Sequence, residues 1–85
     1  YWLANNYPNP FNNSTIIRYL IPTEEVITLK VFNILGEEMA ILINEVKPAG
    51  VYEISWNPIT FSSGVYLYQL KAGDFIKTKK MILLK

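Results

Sequence analysis

The 85 residues contain no cysteine, no histidine, one arginine and one aspartate. Without cysteine, disulfide staples and thiolate metal sites are excluded, although secretion is not. Without histidine, the side chain that exchanges protons near neutral pH is missing, and with it most zinc ligand sets. Catalysis would therefore have to rest on carboxylates or serines. Glu24 with Glu25, and Glu37 with Glu38, are neighbours beside turns, so the two side chains of each pair diverge instead of sharing a proton as a catalytic dyad must. Ser62 and Ser63 precede Gly64 without a candidate base, which leaves them a turn role. Glycine-rich phosphate loops and calcium-loop spacing are also lacking, so no cofactor, no metal and no enzymatic activity are expected. The longest apolar runs are a handful of residues, too short for a transmembrane segment.

What is present is a core. A hydrophobic share of 51%, with 14% aromatic residues, excludes disorder. A chain of this length makes one domain burying about 60–65% of its unfolded surface. Its net charge of +1 is unevenly spread. Lys71, Lys77, Lys79, Lys80 and Lys85 face only Asp74 in the last fifteen residues, a net of +4, whereas residues 1–70 set Arg18, Lys30 and Lys47 against six glutamates, a net of −3. The basic strip is interleaved with an aliphatic strand and contains no arginine, which argues against a nucleic-acid partner.

Turn residues fall at short, even spacings: Pro22, Gly36, Pro48 with Gly50, Pro58, Gly64 and Gly73. Strands fit between them. Ile17, Tyr19 and Ile21 alternate with Arg18, and Ile27, Leu29 and Val31 with Thr28 and Lys30, giving two half-buried strands. Met39 to Ile43 makes a third whose inward face the pattern leaves open. Tyr52, Ile54 and Trp56 form a fourth, Tyr66, Tyr68 and Leu70 a fifth, and Gly73-Asp74 is a tight hairpin into a last strand from Phe75 to Leu84. With the segment before Tyr7 pairing at an edge, the count is six or seven. The fold class is all-β, an immunoglobulin-like antiparallel β-sandwich, because a single sheet could not cover its own apolar face.

Tyr7, Pro8, Asn9, Pro10, Phe11 and Asn12 form a rigid turn, since two prolines of fixed φ alternate with asparagines that bond their own backbone. It delivers Phe11 to a core edge. Gly64, Val65 and Tyr66 have the form of a tyrosine corner, in which the hydroxyl binds an upstream backbone carbonyl; simple packing of Tyr66 and Tyr68 fits the spacing as well. Alternation turns Tyr19, Tyr52, Trp56, Tyr66 and Tyr68 inward. Trp2, Tyr7, Phe11 and Phe32 remain as platforms for a sugar ring, with core or edge packing the preferred reading. Asn13, Ser14 and Thr15 match a glycosylation acceptor, a weak signal in a protein of bacterial type.

Taken in order, Tyr7 to Asn12, the run ITLKVFNILGEEMAIL from Ile27 to Leu42, the glycine turn into Tyr52 to Asn57, and SGVYLYQLKAGDFIKTKKMILLK from Ser63 to Lys85 closely resemble the type A C-terminal sorting domain of the type IX secretion system. That family is related to the immunoglobulin-like domain of the flagellar hook-capping protein. The resemblance runs from residue 7 to residue 85 and makes residues 1–6 a linker or edge segment from an upstream domain. It implies a larger protein of a Gram-negative bacterium, whose cargo portion folds in the periplasm and reaches the cell surface or medium when an outer-membrane translocon recognises this domain. A sortase-like peptidase at the surface is the second partner implied. Gly64 and Tyr66 match the family's late Gly-x-Tyr motif and Gly50 and Tyr52 the earlier one. Lys80, Met81, Ile82, Leu83, Leu84 and Lys85 match the terminal recognition stretch. Asn13 departs from the proline that often follows the hexapeptide, which loosens that turn.

The residues themselves add one argument. Ile82 and Leu84 point to one face of the last strand and Met81 and Leu83 to the other. At a sheet edge such a strand offers unpaired backbone, an apolar face and flanking lysines, all suited to strand addition; a central strand buried on both faces is the alternative. Two other functions share this frame. A structural subunit could form a homo-oligomer or filament through edge strands, and an accessory module could bind carbohydrate.

Overall fold

The computed structural model describes all 85 residues, Tyr1–Lys85. It holds seven strands and no helix: β1 (Trp2–Leu3), β2 (Thr15–Ile21), β3 (Glu25–Asn33), β4 (Glu38–Lys47), β5 (Gly50–Trp56), β6 (Gly64–Ala72) and β7 (Phe75–Leu83). They form two antiparallel sheets, β1-β2-β5 and β4-β3-β6-β7, packed as a sandwich. The alternation in the sequence becomes the inner faces. Ile17, Tyr19 and Ile21 from one sheet meet Ile27, Leu29, Val31, Tyr68 and Leu70 from the other, all fully buried. The segment before Tyr7 supplies β1, which pairs with β2 and sends Leu3 into the core.

β4 is twice as long as Met39–Ile43, and the reason its inward face is illegible is physical. The β3–β4 register slips between Leu29 and Lys30 and again between Val31 and Phe32, so Leu42 and Met39 have no opposite residue. Each bulge reverses the parity of the side chains beyond it. Ile43 is the one buried residue of the strand.

Tyr52, Ile54 and Trp56 face inward as the alternation requires, but on an edge strand they reach only half burial. Trp56 belongs to an aromatic chain that closes one end of the sandwich: its ring lies 6.2 Å from Phe11 and 5.2 Å from Phe61, edge-on, and Phe61 lies 5.3 Å from Tyr66. Such pairs add about 0.5–1.5 kcal/mol each beyond area burial. The expected packing of four aromatics needs one correction. Phe11 is in the core, Phe32 is half-buried and Trp2 sits on the edge strand β1 at 39% exposure, but Tyr7 is 78% exposed. Tyr7 and Ile16 exchange both backbone hydrogen bonds across the start of β2, and that pairing sends the ring outward.

Candidate functional site

The hexapeptide and the end of the chain, some seventy residues apart, meet at one sheet edge. β7 pairs with β6 on one side only, so it is an edge strand and not a central one. Its other side is partly occupied. The Phe11 N–H donates to the Ile82 carbonyl at 3.0 Å, the Leu84 N–H donates to the Phe11 carbonyl at 2.8 Å, and the Ile82 N–H donates to Asn9 Oδ1 at 2.9 Å. Residues 9–11 thus lie alongside β7, joined to it by an isolated parallel bridge between Phe11 and Leu83. This corrects the expectation of free backbone at the terminus. Backbone groups of an edge strand point outward at every second residue. Of the outward row 76, 78, 80, 82 and 84, the last two are taken.

Buried polar side chains hold the hexapeptide in place. Thr15 Oγ1 donates to the Pro8 carbonyl at 2.9 Å and accepts from Asn6 Nδ2 at 3.0 Å; both residues are buried. Asn6 Nδ2 also lies 3.3 Å from the Pro8 carbonyl. The peptide bonds before Pro8 and Pro10 are cis. From the opposite sheet the Tyr68 hydroxyl accepts from the Asn6 N–H at 2.8 Å and donates to the Ala4 carbonyl at 2.7 Å. Burial pushes its pKa up to about 12, only partly offset by the bond from Asn6. Tyr19 is likewise raised to about 12, first by burial and then by Tyr52 and Glu45. Asn6, Thr15 and Tyr68 carry no motif signal for this task. Their partners lie 2 to 64 residues away, and only the fold brings the remote ones together.

Both Gly-x-Tyr motifs are the same device. Tyr66 donates to the Ser62 carbonyl at 2.7 Å and Tyr52 to the Pro48 carbonyl at 2.6 Å, each four residues upstream. These are tyrosine corners, one near the start of β6 and one near the start of β5. Gly64 lies opposite Leu83 and Gly50 opposite Ile21, on different sheets, so the motifs brace the scaffold at separate places.

The terminal stretch divides by burial. Met81 and Leu83 are fully buried, and Tyr66 is 6% exposed. Lys80, Ile82, Leu84 and Lys85 are the accessible members. Two shallow hollows flank the last two: one of about 440 Å³ lined by Asn12, Asn13, Asn57, Ile59 and Lys85, the other of about 370 Å³ lined by Pro8, Pro10, Phe11, Asn12 and Leu84. Lys85 is anchored by its N–H to Ser63 Oγ at 2.8 Å and by Nζ to the Ile59 carbonyl at 2.7 Å.

Ion pairing separates the cations of the first seventy residues from those that follow. Arg18, Lys30 and Lys47 are each ion-paired, with Glu53 at 3.6 Å, Glu38 at 3.0 Å and Glu45 at 3.1 Å. None of the five lysines from residue 71 onward has a carboxylate partner. All of them lie on or beside the β6–β7 hairpin. No three histidine, cysteine or carboxylate residues cluster as a metal site.

A family model described as the secretion system C-terminal sorting domain matches residues 5–84. No curated protein and no solved structure matches the chain.

Proposed function

The chain belongs to the secretion system C-terminal sorting domain family, a non-catalytic family of the type IX route to the cell surface or medium of Gram-negative bacteria, and from that premise we propose that the outer-membrane translocon reads this domain at the accessible residues of its last strand. Lys80, Ile82, Leu84 and Lys85 carry the recognition, while Met81, Leu83, Gly64 and Tyr66 build the strand that presents them. The observation that supports this reading is the clamp at Phe11. A terminal strand bonded to β6 on one side and to residues 9–11 on the other is held as a fixed shape, so a receptor need not order it on binding. Residues 7–85 act as the sorting domain and residues 1–6 lead back to the cargo. A sortase-like peptidase acts on that side after export.

The filament reading gains nothing from this geometry. Pairing two β7 strands would set lysine against lysine, and the other edge of the same sheet, β4, is broken by its two bulges.

The test is export of a fused cargo in a host that carries the type IX machinery. Deleting residues 80–85 would tear Met81 and Leu83 from the core, so charge reversal is the cleaner perturbation. Lys80→Glu with Lys85→Glu alters two exposed positions, the second giving up the Nζ bond to the Ile59 carbonyl, at a stability cost of about 1–2 kcal/mol. The expected result is folded cargo retained in the periplasm. Normal surface delivery of the double variant refutes the proposal.

A further inference from the structure

The β7 edge has a feature that sorting by a terminal stretch does not use. Upstream of the clamp, Ile76, Thr78 and Lys80 belong to the outward backbone row, and neither another strand nor the hexapeptide covers them. β7 pairs with β6 over nine consecutive positions without a bulge, so this free edge is regular where that of β4 is not. Natural edges are blunted by bulges, proline or charge. Here only charge serves. Lys77 and Lys79 stand on one face of the strand and Lys80 on the other, none with an ion pair.

We infer that residues 76–80 of the β7 edge accept a β-strand of a partner protein that carries acidic side chains at alternate positions. The outward amides and carbonyls supply the ladder, and each side-chain row meets its complement. Carboxylates two residues apart fall beside Lys77 and Lys79. On the other face the intervening residues meet Ile76, which is 55% exposed, Thr78 and Lys80. The clamp ends the docking segment, because Ile82 and Leu84 already bond residues 9–11. A partner of this kind neutralises lysines that have no carboxylate partner in the fold, with Lys79 exchanging its 3.1 Å bond to Asn5 Oδ1 for a carboxylate, whereas a second copy docking through the same edge would oppose them. The inference rests on the sorting reading only for which protein supplies the strand.

The probe is a ten-residue peptide alternating glutamate with valine and threonine, titrated into the isotope-labelled domain and followed by amide shifts and hydrogen exchange. Slowed exchange is expected at Ile76, Thr78 and Lys80, with at least tenfold weaker binding for Lys77→Glu/Lys79→Glu and for Thr78→Pro. Proline at Thr78 removes one outward N–H and leaves the pairing with β6 intact. Should that variant fail to fold, the same peptide N-methylated at alternate residues replaces it as the ladder-deficient control. No protection at millimolar peptide overturns the inference. So does unchanged binding to the ladder-deficient partner, or equal competition by polyphosphate or anionic lipid vesicles, since either outcome marks a lysine patch that merely collects anions. If the peptide fails while Lys80→Glu/Lys85→Glu still blocks export, this inference falls and sorting stands. If the peptide binds and that variant is exported normally, the sorting reading falls and the strand site stands.

Discussion

Removing one oxygen atom from Tyr68 tests how the N-terminal segment is held to the sandwich. Tyr68→Phe keeps the buried ring and deletes the hydroxyl that bonds both the Asn6 N–H and the Ala4 carbonyl. Asn6 is buried, so its amide loses its partner where water does not readily replace it, at about 1–3 kcal/mol. Ala4 is half-buried and its carbonyl can be rehydrated, so that bond is worth about 0.5–1.5 kcal/mol. Together the loss is about 2–4 kcal/mol, a shift of roughly 10–30 °C in Tm for a domain of this size. Tyr52→Phe is the matched control, because its 2.6 Å bond to the Pro48 carbonyl is solvent-exposed and its loss costs about 0.5 kcal/mol or less. Thermal and urea melts of both variants decide the matter. If Tyr68→Phe is no more destabilised than Tyr52→Phe, the bond from sheet to N-terminal segment does not carry the load assigned to it.

Two further outcomes follow from burial and titration. Phe11→Ala should cost about 3–5 kcal/mol, and proteolysis or amide exchange should show β7 loosened at Ile82 and Leu84, whereas Tyr7→Ala, with its ring in solvent, should melt within about 0.5 kcal/mol of the parent. Stability should hold up to about pH 10 and fall between pH 10 and 12, because Tyr19 and Tyr68 are raised to about 12 in the fold and the unfolded chain releases those protons first; a flat stability profile across that window would refute their burial as neutral phenols.

The chain's own pattern contained most of the sandwich. Period-two alternation in β2, β3 and β6 and glycine or proline between strands depend on local rules, so Ile17, Tyr19, Ile27, Leu29 and Leu70 declare their faces without knowledge of their partners. The hairpin at Gly73 is equally local: its φ of +59° is a conformation glycine adopts at no steric cost. The Tyr66 corner is local too, since donor and acceptor stand four residues apart. β4 resisted reading because its bulges arise from pairing with β3, and nothing within Glu38–Lys47 announces that Met39 and Leu42 stand opposite no residue.

The candidate site divides along the same line. Sequence alone determined its ingredients: a proline-asparagine hexapeptide, a basic and apolar last strand, and the charge asymmetry that leaves five lysines against one aspartate at the end of the chain. The tertiary structure alone decided how they are used. It put β7 at an edge, sank Met81 and Leu83, and filled the outward bonds of Ile82 and Leu84 with residues 9–11. It also left Ile76, Thr78 and Lys80 uncovered, whereas the sequence pattern did not say which part of the last strand keeps a free edge. The physical reason is that a backbone hydrogen bond between residues some seventy positions apart leaves no periodicity in either segment. Which edge groups are satisfied depends on where two remote pieces of chain come to lie, and that is settled only when the core that carries both has closed.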